Sequence, residues 1–307
     1  MEDVGKGVNE LFERRNFQQK YDEMMQEVLA DPTVKKFLAE NKDKLTQADV
    51  KKSYPKLYEF VQEKRKFTLN DPTMMAPGYE PRLVLNFHYI DVAYVPTEDL
   101  LERRKQEEIK NRVSTIDIPK DIRNANMKNF DKTDAREEAL FETMKFVKNY
   151  TENAQVFHKG LYLAGDFGVG KTYLLGAMAN ELAKRGYTSM MVHMPTFTSM
   201  MKSSVADNTV AEKLENVKKP KILILDDVGA DALTAWTRDE IFGVILQYRM
   251  QEQLPTFFTS NFTMDGLENH LRLTKTADEP LKAKRIMERI RYLAKEIIMS
   301  GPNRRNE

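Results

Sequence analysis

A chain that carries Gly165-Asp166-Phe167-Gly168-Val169-Gly170-Lys171-Thr172 has few folds open to it. The stretch reads G-x-x-x-x-G-K-T, a loop whose backbone N–H groups wrap phosphates at the positive end of a helix. Its glycines let the backbone approach a ligand with no Cβ in the way. Such a loop needs a strand before it and a helix after it. Leu161-Tyr162-Leu163-Ala164 is a short apolar run of the kind a buried strand shows. Leu174, Leu175, Met178, Ala179 and Leu182 share one helical face, and Gly186 stops that helix. In this setting Lys171 reaches the β- and γ-phosphates of a nucleotide, and the Thr172 hydroxyl holds Mg²⁺. Gly165, Asp166, Phe167, Gly168, Val169, Gly170, Lys171 and Thr172 are the candidate phosphate cradle.

Three further segments complete the pattern. Lys221-Ile222-Leu223-Ile224-Leu225-Asp226-Asp227 is an apolar strand ending in carboxylates, the Walker B arrangement. Asp226 binds Mg²⁺ through its water shell, because this hard ion prefers oxygen and keeps several waters. Asp227, one residue on, stands where a general base polarises the attacking water. Thr256-Phe257-Phe258-Thr259-Ser260-Asn261 reads as another buried strand with a polar end, where Asn261 positions that water or simply forms a turn. In Lys282–Arg291, Ile286, Ile290 and Leu293 share one helical face, and Lys282, Arg285 and Arg289 another. The cationic row is either a solvated face or, in a ring ATPase, the source of an arginine finger for a neighbour's γ-phosphate.

These motifs resemble the AAA+ ATPases, in the branch of bacterial replication initiators and DnaI/DnaC-type helicase loaders. The likeness rests on Ile222–Gly229, Leu254–Phe262 and Ala283–Leu293, spans about Ile118 to Gly301, and is looser before that. It implies an α/β core with a parallel five-stranded sheet in the order 5-1-4-3-2, and ATP and Mg²⁺ as ligands. The strands are expected near 161–164, 188–193, 222–226, 256–260 and 295–299, separated by helical patterns. Little chain follows Arg289, so no C-terminal helical lid is expected. The implied function is ATP-dependent loading of a hexameric replicative DNA helicase onto single-stranded DNA in primosome assembly. Other primosome proteins and ATP-dependent self-association belong to that expectation, with Asp227, Asn261 and Arg289 as catalytic residues. Two other readings stand beside it: a transposition helper ATPase of the IstB type, and an adaptor that binds ATP with negligible hydrolysis. AAA+ motors often carry Glu where this chain has Asp227; the shorter side chain argues for slow turnover. A small-molecule P-loop kinase is a distant fourth.

Residues 1–100 read as a mainly helical helicase-interaction domain, 101–115 as a linker, and 116–307 as the ATPase domain. Phe12, Tyr21, Met25, Val28 and Leu29 suggest an apolar stripe. Asp31-Pro32 starts a second helix, and Thr46 with Asp49 resembles a capping box for a third, which Pro55 breaks or kinks. Leu83, Leu85, Phe87 and Tyr89 alternate as in a small β element. Members of the resembling group carry zinc-binding cysteines here; this chain has no cysteine, so zinc is not carried over. Phe12, Met24 and Tyr58 are expected to be exposed for a partner. Between the second and third strands, residues 194–221 hold Lys202, Lys213, Lys218, Lys219 and Lys221 with Phe197, a candidate path for single-stranded DNA. Phe197 either stacks on a base or packs.

Charge offers no shortcut to a partner. There are 48 basic and 47 acidic residues, net +1, so any nucleic-acid surface is a local patch. The absence of cysteine removes disulfides and thiol catalysis. No apolar run approaches membrane-spanning length, and the N-terminus is polar, so a cytoplasmic location with no membrane partner is expected.

Overall fold

Residues 19–131, 133–231, 234–273 and 278–304 are described by the computed structural model. Phe12 lies outside these residues. The chain divides into two compact units, Met1–Lys105 and Gln106–Glu307.

The first unit packs helices against a hairpin. Asp31 caps the helix Pro32–Glu40 by accepting the N–H groups of Thr33 and Val34. Thr46 and Asp49 form the reciprocal capping box of Gln47–Lys52. Pro55 breaks that helix and does not kink it: a new one, Tyr54–Thr68, starts with the proline in its first turn. Strands β1 (Tyr79–Asn86) and β2 (Tyr89–Pro96) pair antiparallel, Asn86 opposite Tyr89. Phe87 therefore leaves the alternating series; it sits in the turn with φ 55° and is 90% exposed. Met25, Val28, Val34, Leu57, Phe60 and Ile90 form the core. The segment after Thr68 is held without metal. Glu63, almost fully buried, accepts the Met75 N–H at 2.6 Å and the Lys66 ammonium at 2.8 Å. Ser53 Oγ accepts the Ile90 N–H at 2.9 Å, fastening hairpin to helices.

The second unit is a three-layer α/β domain. Residues 101–115 contribute to a helix, Glu98–Asn111, and to a strand, β3 (Val113–Ile116). That strand makes the sheet six-stranded where five were expected. It is an edge strand of four residues with a polar centre, too short to show a period. The others are β4 (Gly160–Ala164), β5 (Ser189–His193), β6 (Ile222–Asp226), β7 (Thr256–Ser260) and β8 (Ala294–Ile298). Their order is β3-β5-β6-β7-β4-β8, all parallel. Without β3 this is the expected order of the five core strands. Strands β4, β6 and β7 are buried along their whole length, which is why they read as unbroken apolar runs. Alternate residues feed opposite layers. Leu161, Leu163, Ile222 and Ile224 pack with the helices Asp134–Glu152 and Lys171–Lys184. Tyr162, Ala164, Leu223 and Leu225 pack with Met194–Ser203, Gly243–Gln251, Met264–Arg272 and Pro280–Leu293.

Candidate nucleotide site

Because every strand runs the same way, β4 to β7 present their carboxyl ends at one edge of the sheet. Ligands of open α/β sheets bind at such an edge, where the strand order reverses. The order places β7 between β4, which precedes the glycine-rich loop, and β6, which ends in Asp226. Side chains of β7 can therefore reach both.

They do so through Thr259 and Asn261. Thr259 Oγ1 donates to Asp226 Oδ1 at 2.6 Å and accepts the Asp227 N–H at 2.8 Å. Thr172 Oγ1 donates to the same Asp226 oxygen at 2.7 Å. Asn261 bridges the other half: its Oδ1 accepts from Lys171 Nζ at 2.9 Å, and its Nδ2 donates to Asp227 Oδ1 at 3.3 Å. Lys171, itself buried, also donates to the carbonyls of Gly165 (2.6 Å) and Asp166 (2.8 Å). The predicted Lys171, Thr172, Asp226, Asp227 and Asn261 thus meet in one hydrogen-bonded group.

Burial pushes the Asp226 carboxyl above its usual range; Thr259 and Thr172 pull it back, Asp227 adds to the rise and His193 opposes it. A buried carboxylate beside a hydroxyl is an oxygen donor set that suits Mg²⁺. Asp227 adopts φ 59°, a left-handed conformation that costs a non-glycine residue about 1–3 kcal/mol. The turn is held by Val228, which donates its N–H to Thr259 O at 2.9 Å and accepts Ser260 Oγ at 2.6 Å. The result aims Asp227 into a cavity of about 810 Å³ that Gly168, Gly170, Lys171, Thr172, Asp226 and Asn261 also line. Gly170, the residue before the helix, has φ 95°, which a Cβ would oppose. In the rest of the loop Val169 is buried, while Asp166 and Phe167 are exposed.

Several lining residues were not singled out from sequence. His193 ends β5, with Nε2 3.9 Å from Asp227 Oδ2 and Nδ1 2.9 Å from Thr196 Oγ1. Asp117, Phe130, Asp131, Arg136, Tyr173 and Arg304 are among the other residues of the wall. Their positions depend on strand adjacency and on distant loops, for which the sequence carries no local signal.

Arg289 does not reach this cavity. It is half-buried on Pro280–Leu293 and donates to the Gly243 carbonyl at 2.8 Å. Burial, reinforced by Arg285, lowers its pKa. The 194–221 segment forms two helices, Met194–Ser203 and Val210–Lys218. Phe197 is fully buried in the core, so it packs. Lys213 donates to Ser204 Oγ at 2.6 Å, and Lys218 and Lys219 both pair with Glu215.

Fold and site define a P-loop ATP-binding protein of the AAA+ class. The family model described as "IstB-like ATP binding protein" matches residues 89–305, and "Primosomal protein DnaI N-terminus" matches residues 1–94. The replicative helicase loader DnaI of Bacillus subtilis is 39% identical over the whole of both chains. This chain belongs to the DnaI family of helicase loaders. A crystal structure of DnaI covers 64% of this chain and 100% of its own, with 44% identity and a TM-score of 0.56. A putative primosome component from Streptococcus pyogenes covers 66% of this chain and 100% of its own, with 41% identity and a TM-score of 0.54. No helix among the described residues is long and apolar enough to cross a membrane.

Proposed function

We propose that this chain is an ATP-controlled loader that places a hexameric replicative DNA helicase on single-stranded DNA during primosome assembly. The observation that carries this reading is the end-to-end likeness to a helicase loader, across both units. An IstB-type transposition helper fits residues 89–305 but leaves the first unit without a purpose. That unit exposes Phe87, Met75, Leu69 and Tyr58, apolar groups suited to a protein partner.

The site supports slow, switch-like hydrolysis. Lys171 exchanges its carbonyl partners for phosphate oxygens. Thr172 and Asp226 would hold Mg²⁺, which would supply positive charge against the phosphates. Asp227, fixed by Asn261, takes a proton from the attacking water. Arg289, absent from its own cavity, acts on a neighbouring subunit's nucleotide in an ATP-dependent assembly, with Arg285 one turn earlier as the fallback.

Loading is tested by measuring helicase retained on circular single-stranded DNA. Wild-type protein with ATP increases retention, and Lys171→Ala does not. Equal retention with and without the protein would remove this function.

A further inference from the structure

Two arginines outside the motifs line the nucleotide cavity. Arg136, in the first turn of Asp134–Glu152, is only 2% exposed, yet its Nε and Nη2 have no hydrogen-bond partner among the described residues. Its Nη1 lies 3.9 Å from Asp131 Oδ2, and its guanidinium sits 5.9 Å over the Phe130 ring. Arg304, from the segment after β8, donates through Nη2 to the same Asp131 oxygen, and its Nε is buried without a partner among the described residues. Both arginines and Asp131 line the cavity. Buried N–H donors left unpaired are costly, and most native structures avoid them unless a ligand satisfies them.

The segment that carries Arg304 is seated on the phosphate loop. Met299 N donates to Ala164 O at 2.7 Å, and Arg304 N to Gly168 O at 3.2 Å. A Cβ on Gly168 would meet the Asn303 side chain, which would have to move aside, so the loop and the segment pack closely at this point. Gly301 packs in turn against Arg136, whose Nη2 is 3.3 Å from where a Cβ would stand.

We propose that Arg136 and Arg304, bridged by Asp131, are a second anchor for the phosphate oxygens of a bound nucleoside polyphosphate, acting in cis. The inference rests on the reading of the cavity as a nucleotide site. Phosphate is the favoured group for three reasons. Within this cluster, two guanidiniums against the one Asp131 carboxylate leave a local positive charge. The unpaired groups are N–H donors only, which suits phosphate oxygens. Arg304 is also bonded through its backbone to the loop that wraps phosphates. Nucleotide binding then ties the 299–304 segment down over that loop.

The test is equilibrium binding of ATP to the full chain, with tripolyphosphate as competitor and thermal unfolding without nucleotide as the control. R304Q weakens ATP and tripolyphosphate together by about tenfold or more, the range of one charge-assisted hydrogen bond. R304K, which keeps charge but loses the fork, falls between. Melting without nucleotide changes little in R304Q, because the ion pair it loses with Asp131 is partly exposed and such pairs add little to stability. R136Q, where it folds, repeats the loss. Wild-type ATP affinity in R304Q overturns the proposal. So does a loss for ATP with tripolyphosphate unaffected, which would set the arginines against base or ribose. Failure of the wild type to bind ATP overturns the underlying nucleotide reading instead, and is seen before any variant is compared.

Discussion

Lys171 Nζ donates to two loop carbonyls and Asn261, partners that hold the loop and its neighbouring strand end together until phosphate takes their place. Lys171→Ala should therefore weaken ATP binding by about 1.5–3 kcal/mol, the worth of a charge-assisted contact. A titration giving unchanged affinity would dismiss the cradle. Lys171 and Thr172 were legible because their spacing from the glycines is fixed by local chain geometry. Asp226 and Asp227 were legible because they end an apolar run. Thr259 was not assigned a role, since its hydrogen bond to Asp226 exists only because β7 lies beside β6. His193 was missed for the same reason: nothing near it in sequence indicates a carboxylate across the strand end. Among residues outside the site, Glu63 has the clearest consequence. The Lys66 ammonium and the Met75 N–H outweigh burial and hold its carboxyl below the usual range. The stabilisation is present above the unfolded value near ~4.3 and is lost as pH falls through the lower folded value. Glu63→Gln should destabilise the first unit by about 1–3 kcal/mol at neutral pH and flatten its acid unfolding. Denaturation of both proteins across pH 3–7, taken as roughly the span of glutamate titration, checks this; parallel curves would contradict it.

At the scale of elements, the β4–β8 alternation was readable because parallel strands buried on both faces appear as continuous apolar segments. The edge strand β3 was hidden by its four residues, and the turn at Phe87 by an aromatic that keeps the strand's alternation while leaving the strand. The helix pair at 194–221 was read as a candidate DNA path from its lysines, its place between two core strands and the resemblance to initiator-type ATPases. Its side chains are partly committed: Phe197 is core, and Lys213, Lys218 and Lys219 have partners on their own surface. These partners are exchangeable, since surface ion pairs are weak. Replacing the three lysines by Ala should lower the salt slope of single-stranded DNA binding by up to about 2, at ~0.7 per phosphate contact. Fluorescence anisotropy over a salt series measures it. A triple variant with wild-type affinity and slope would move the DNA path off these helices.

For the whole molecule, a net charge of +1 leaves little long-range attraction to DNA, so under the proposed function DNA binding would come from assembly, bringing several weak patches onto one strand. Assembly would also explain why Arg289 lies outside the cavity of its own chain. Arg289→Ala should bind ATP without hydrolysing it, with a finger's contribution of about 10³–10⁵ in rate removed. Mixed with Asp227→Asn, it should recover part of the activity, each variant supplying what the other lacks; no recovery at any ratio would count against action in trans. Under the proposed function, ATP governs association with a replicative helicase. Size-exclusion chromatography with multi-angle light scattering, on this protein mixed with its cognate hexameric helicase, tests it most directly. The account predicts a complex heavier than the hexamer whose yield changes when ATP is added, and a loss of that ATP response in Lys171→Ala. Separate elution of the two proteins with and without ATP would contradict it.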